Sequence, residues 1–308
     1  MAKGIIVYYS QTGNTRKIAE SIHTGMSRRL QQADVARLQD VRLRDLAQYD
    51  LIGVGSPVWG GTGRPANVIN FIEGMAFVEG KHAFAFCTHG ALPGPYMART
   101  VSALIQRGLT VIGWQDWYAS VYLPYTPKPY YTDGHPDEID LQQAADFGAE
   151  MAERSQRISL GETYLIPALP RGRAYDEIYG RVPRHFSPDF VKGKNVHLAI
   201  NLAKCTRCGI CEANCPTNCI DFSVSPPVFG LKCDQCWFCE QICPESAIEV
   251  DWGPVAIAEA RSIKTLFPKL LELAEAQGRF RRLVPVEDVG WDTPFYKIVD
   301  RHPRLVIL

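Results

Sequence analysis

Short apolar runs alternate with stretches of helical spacing along the first half of the chain, the pattern of a parallel α/β sheet. Residues 4–10 (GIIVYYS) read as a buried strand. Residues 14–30 then carry Ile18, Ile22, Met26 and Leu30 on one helical face. Residues 33–39 predict a second, weaker strand, and 50–56 (DLIGVGS) a third. Residues 64–74 predict a helix, 82–88 (HAFAFCT) a fourth strand and 96–107 another helix. A fifth strand falls within 109–120, and 136–157 form a long closing helix with Asp133 or His135 near its start. Five strands with helices between them build a doubly wound domain, in which ligands sit at the carboxyl ends of the strands.

The periodic pattern stops there. The proline- and glycine-rich stretch after the closing helix reads as a linker, residues 159–195, with little regular structure. Near the C-terminus, 256–278 is helical in spacing with a possible kink at Pro268. Residues 283–286 and 305–307 are strand-like. The aromatic text starting at Trp291 suits a core or an interface, and residues 254–308 read as an extension strapping the two domains together.

Composition narrows the function classes. Lys+Arg and Asp+Glu are equal at 33 each, so no overall field points to nucleic acid or a membrane surface. No apolar run approaches the ~18 residues of a membrane span. The opening MAKGIIVYYSQTGNT reads as strand and loop rather than a leader. Residues 154–194 hold 8 basic and 4 acidic side chains, whereas 195–251 hold 3 basic and 7 acidic.

Ten cysteines are present, and eight fall in two copies of one pattern. The first is Cys205, Cys208, Cys211 and Cys215, followed by Pro216. The second is Cys233, Cys236, Cys239 and Cys243, followed by Pro244. Cys-x2-Cys-x2-Cys-x3-Cys-Pro runs ligate [4Fe–4S] clusters, and where two clusters occur the fourth cysteine of each run serves the other one. On that rule Cys205, Cys208, Cys211 and Cys243 form one ligand set, and Cys233, Cys236, Cys239 and Cys215 the second. Structural zinc favours isolated Cys-x2-Cys pairs, which these runs are not. The copies align without a gap at an offset of 28 residues, pairing Glu212 with Glu240 and Ile220 with Ile248. Cys219 then aligns with Ala247, so it reads as a packing residue, and Cys87 as a buried strand thiol. Clusters and free thiols together predict a reducing, cytoplasmic setting.

Three loops fall at the carboxyl ends of the predicted strands. Ser10, Gln11, Thr12, Gly13, Asn14 and Thr15 combine hydroxyls, a turn glycine and a helix N-terminus, which suits a phosphate. Ser56, Pro57, Val58, Trp59, Gly60 and Gly61 place an indole between proline and glycines, where it can stack on a flat ring. Thr88, His89, Gly90 and Gly94 belong to a third, backbone-rich loop.

Through SQTGNT, GSPVWGG and THGALPG, residues 1–157 resemble flavodoxins. Residues 195–251 look like a bacterial two-cluster ferredoxin, and the chain as a whole resembles flavodoxin–ferredoxin fusion proteins of anaerobes. The resemblance implies a flavodoxin-like domain over 1–158, the linker, a small α+β 2[4Fe–4S] domain over 196–253 and the extension. It implies FMN with its phosphate on Ser10, Gln11, Thr12, Gly13, Asn14 and Thr15. The ring then lies between the second and third loops, with Trp59 beside it. No tyrosine precedes Tyr96 in the third loop, so the other ring face is open or covered by Tyr96, Tyr125 or another domain. Neither ring loop contains Asp or Glu, while Arg64 and His89 flank them, which predicts a flavin potential higher than in acidic flavodoxins.

The function expected is electron transfer between FMN and two [4Fe–4S] clusters, linking one- and two-electron redox proteins. The alternative is an FMN-dependent reductase of a small organic substrate fed by its own ferredoxin domain. No second nucleotide-binding glycine motif supports direct NAD(P)H oxidation. A linker of this length also allows a homodimer in which one chain's clusters face the other's flavin.

Overall fold

The computed structural model describes residues 2–58, 65–123, 126–169, 198–230, 233, 236–250 and 263–291. Trp59, Gly60, Gly61, Arg64 and Tyr125, most of the linker and the strand expected at 305–307 lie outside the described residues. The chain divides into two compact units. One comprises Met1–Ala119 and Gly134–Phe186, the other Ser120–Asp133 and Ser187–Leu308.

In the first unit the strands are β1 (Lys3–Tyr8), β2 (Gln32–Arg37), β3 (Leu51–Pro57), β4 (His82–His89) and β5 (Thr110–Tyr118). They form one sheet in the order β2-β1-β3-β4-β5, every neighbouring pair parallel. All five strand expectations hold to within a few residues. The near-continuous apolar runs of β1, β3 and β4 arise because both faces of the sheet are covered. On one face Ile5, Val7, Val54 and Ala85 pack under α2 (Ala66–Gly74) and α3 (Tyr96–Gln106). On the other, Ile6, Phe84 and Phe86 meet α1 (Asn14–Ser27) and α4 (Glu138–Ser159).

Two details go beyond the sequence reading. The N-cap of α4 is Asp137: its carboxylate accepts from the N–H groups of Ile139 and Asp140, and Asp140 accepts in return from the Asp137 N–H. This reciprocal pair is a capping box built with Asp at its far end. Helices α1 and α4 also approach through glycines. A Cβ on Gly25 would stand 1.7 Å from the Ala145 carbonyl oxygen, and one on Gly148 would stand 2.0 Å from that of Ile22. Any larger side chain there forces the helices apart.

The second unit holds two small antiparallel pairs. β6 (Leu198–Ile200) joins β9 (Ile248–Val250), and β7 (Ile220–Asp221) joins β8 (Val228–Phe229). Between them lie the short helices α5 (Ile210–Ala213) and α6 (Phe238–Ile242). The 28-residue repeat is written in the backbone. Gly209 and Trp237 both take positive φ (74° and 58°) ahead of a short helix, and Asn218 and Ser246 both take positive φ (50° and 49°) ahead of a strand. Further on, α7 (Phe267–Ala276) carries Pro268 in its first turn, where a missing N–H is tolerated. Residues 283–286 are not a strand; a 3₁₀ turn, Val286–Asp288, occupies the end of that stretch. Trp291 packs edge-on to Tyr131, ring centroids 6.1 Å apart, and its neighbour Gly290 donates to the Pro129 carbonyl at 3.0 Å.

Candidate functional site

The order β2-β1-β3-β4-β5 puts a switch point between β1 and β3, and the chain leaves β1, β3 and β4 side by side there. Backbone bonds carry the alignment past the strand ends. Tyr9 donates to Gly55 at 3.0 Å, Val58 to Thr88 at 2.9 Å and Ala119 to His89 at 2.9 Å. The loops at Ser10, Pro57 and Thr88 therefore form one edge, as the sequence reading expects.

At this edge α1 begins directly after β1. Its N-cap is Gly13 in the left-handed conformation (φ 88°), and no side chain caps the helix. The Gly13 N–H donates to the Ser10 hydroxyl at 3.2 Å, which closes the loop on itself. Among the described residues, nothing lies within 4 Å of the place where a Gly13 Cβ would sit. A helix start capped by a glycine and flanked by Ser10 and Thr12 suits an anionic group such as a phosphate. Asn14 and Thr15 are buried behind it. Thr15 Oγ1 lies 2.7 Å from Thr88 Oγ1, tying the first loop to the third. Gln11 donates to the Tyr9 hydroxyl at 2.6 Å.

The other predicted ring contacts divide. Pro57, Val58 and Gly90 are partly exposed at the edge, and Gly94 turns its loop with φ 51°. Ser56 is fully buried, with its hydroxyl 3.0 Å from the Pro57 carbonyl and 3.1 Å from the Tyr96 hydroxyl. Tyr96 is itself fully buried in the core beneath α3, so it does not cover a ring. His89 is buried too, and its Nε2 lies 2.9 Å from Asp116 Oδ2 on β5. The acidic partner was missed because it belongs to neither loop; the parallel register of β4 and β5 brings it in. This corrects the charge argument: a carboxylate, missing from both ring loops, lies against one of the two basic side chains expected beside the ring. His89 Nδ1, buried and without a partner among the described residues, is left for a ligand or a water.

The second constellation is the cysteines. Cys205, Cys208 and Cys211 line one cavity together with Cys243, from the other run. Ile200, Phe222, Ala247 and Ile248 supply apolar walls, and the space is about 310 Å³ including its open mouth. Burial raises the Cys211 thiol to about 11, with Cys243 and Cys208 adding to the rise. Among the remaining cysteines, burial pushes the Cys239 thiol well up, and Cys236, Cys211 and Cys215 lie close enough to add to it. Cys215 Sγ lies 3.6 Å from Cys219 Sγ. Each fourth cysteine accepts a backbone N–H from the residue four positions on: Cys219 N–H to Cys215 Sγ at 3.4 Å, Ala247 N–H to Cys243 Sγ at 3.2 Å. Soft sulfur donors in such an arrangement suit iron–sulfur chemistry. Thr217, whose hydroxyl lies 3.4 Å from Cys215 Sγ, also escaped the sequence reading; its repeat partner is Glu245.

Comparison with known proteins finds a flavodoxin domain in the first unit and a 4Fe-4S binding domain over the first cysteine run. Residues 5–107 match the family model of the flavodoxin domain, and residues 198–221 match that of the 4Fe-4S binding domain. Flavodoxin from Megasphaera elsdenii is 29% identical over 110 residues, covering 35% of this chain and 80% of that protein. Among solved structures, a flavodoxin from the domain Archaea is 24% identical, covers 50% of this chain and 99% of its own, and has a TM-score of 0.40. Oxidised flavodoxin 1 from Bacillus cereus is 22% identical over 49% of this chain and 98% of its own, TM-score 0.39. Among the described residues no helix is long and apolar enough to cross a membrane.

Proposed function

Because the chain carries a flavodoxin domain followed by a 4Fe-4S binding domain, the arrangement of a flavodoxin–ferredoxin fusion, we propose that it connects two-electron and one-electron redox proteins through one FMN and two [4Fe–4S] clusters. When bound, FMN exchanges electrons in pairs or singly, and each cluster carries one. The chain's part is to hold these groups. Ser10, Gln11, Thr12, Gly13, Asn14 and Thr15 take the FMN phosphate on the open start of α1. Pro57 and Val58, with Trp59, Gly60 and Gly61, border one side of the ring; Thr88, His89, Gly90 and Gly94 border the other. Cys205, Cys208, Cys211 and Cys243 hold one cluster, and Cys233, Cys236, Cys239 and Cys215 the second.

The observation that carries this reading is the sharing of one cavity by three cysteines of the first run and the last of the second. A zinc site built from each run alone would not need that exchange. Anaerobically purified protein is expected to contain one FMN and eight irons per chain. About four irons, or stoichiometric zinc, would overturn the two-cluster reading. Cys215→Ala is expected to lose about half of the iron and keep the FMN.

A further inference from the structure

The two halves of the cysteine unit repeat in backbone and in ligands, so a position where they differ beside a ligand separates the two clusters chemically. Position 219 is such a place. Cys219 is buried, and its Sγ lies 3.6 Å from Cys215 Sγ. Its backbone is held by the Cys215–Asn218 turn and by Gly230, whose N–H donates to the Cys219 carbonyl at 2.6 Å. Cys215 belongs to the ligand set Cys233, Cys236, Cys239 and Cys215. Bound to iron, Cys215 is a thiolate and can only accept; the proton between the two sulfurs is then the one on Cys219. In the other half the equivalent side chain is Ala247, a methyl with no proton to give, and Thr217 is replaced by Glu245, which only accepts when ionised.

A hydrogen bond to a ligand sulfur draws electron density off it and stabilises the reduced, more negative cluster, and such bonds are among the factors that set cluster potentials. Resting on the two-cluster reading above, we infer that the Cys219 thiol donates to the Cys215 sulfur of the cluster that Cys215 completes, raising its reduction potential and leaving the other cluster untouched. Cys219 is then a tuning residue, not a ligand and not merely packing. The alanine at the equivalent position of the repeat shows that this backbone accommodates the smaller side chain.

The test is an anaerobic redox titration of the full-length protein, read by electron paramagnetic resonance, with iron analysis alongside. Cys219→Ala is expected to keep eight irons and shift one of the two cluster potentials to a more negative value. Cys219→Ser, which keeps a donor, should restore most of the shift, and Ala247→Cys should raise the potential of the other cluster. Eight irons with both potentials unmoved in Cys219→Ala would overturn the inference and leave the two-cluster reading standing. Loss of iron from Cys219→Ala and Cys219→Ser alike would make Cys219 a ligand and overturn it as well. A wild type with four irons would overturn the reading and the inference together.

Discussion

His82 opens β4 from inside the protein, its Nδ1 2.7 Å from the Ser155 hydroxyl on α4. Burial holds its imidazole below the ordinary value of about 6.5, although Asp50 pulls the other way. A histidine depressed in the fold favours the neutral form there, so the stability that it contributes is present above the unfolded value. That contribution is lost as pH falls through the folded value. Wild type is therefore expected to lose stability, relative to His82→Gln, from about pH 6.5 downwards. Urea unfolding of both proteins between about pH 7.5 and 5 checks this; a stability difference that stays constant with pH would refute it. The same scale shows where residue-level reading fails. His89 looks like a free cation beside the ring when only its own loop is considered, and Asp116 becomes visible only through strand register.

Among the elements, α4 depends most on its cap. Asp137 and Asp140 exchange backbone hydrogen bonds, and Asp140 also holds His135 Nδ1 at 2.5 Å. Asp137→Ala leaves two N–H groups without their acceptor and is expected to cost about 1 kcal/mol, up to ~2. Asp137→Asn should cost less, since an amide oxygen still accepts. Denaturant midpoints of the three proteins decide it. A loss of stability as large in Asn as in Ala would mean that the charge, not the acceptor, matters. Strands and helices of the first unit were legible because each carries one uninterrupted period, as in residues 4–10 or Ile18, Ile22 and Met26. The strand expected at 283–286 failed for the opposite reason. Four apolar residues with a proline third among them carry too little pattern to distinguish strand from turn, and Pro285 precedes a 3₁₀ turn instead.

At the scale of the whole molecule, joining the two domains in one chain makes sense if electrons pass between them without release to a carrier. Stopped-flow reduction of holoprotein is then expected to show flavin and iron–sulfur absorbance relaxing together, at a rate independent of protein concentration. A rate proportional to concentration would mean transfer between separate molecules and would remove the reason for the fusion. The paired cysteine runs, the repeat and the turn that opens α1 were readable from the sequence alone, because such runs and tight turns depend on residue type at short, fixed spacing. Tertiary structure decided what short spacing cannot encode. It brought Cys243 into the cavity of the first run, buried Tyr96 against Ser56 and set Asp116 on His89. Each of those contacts joins segments that the chain keeps apart until strand register and the twofold repeat fold them together.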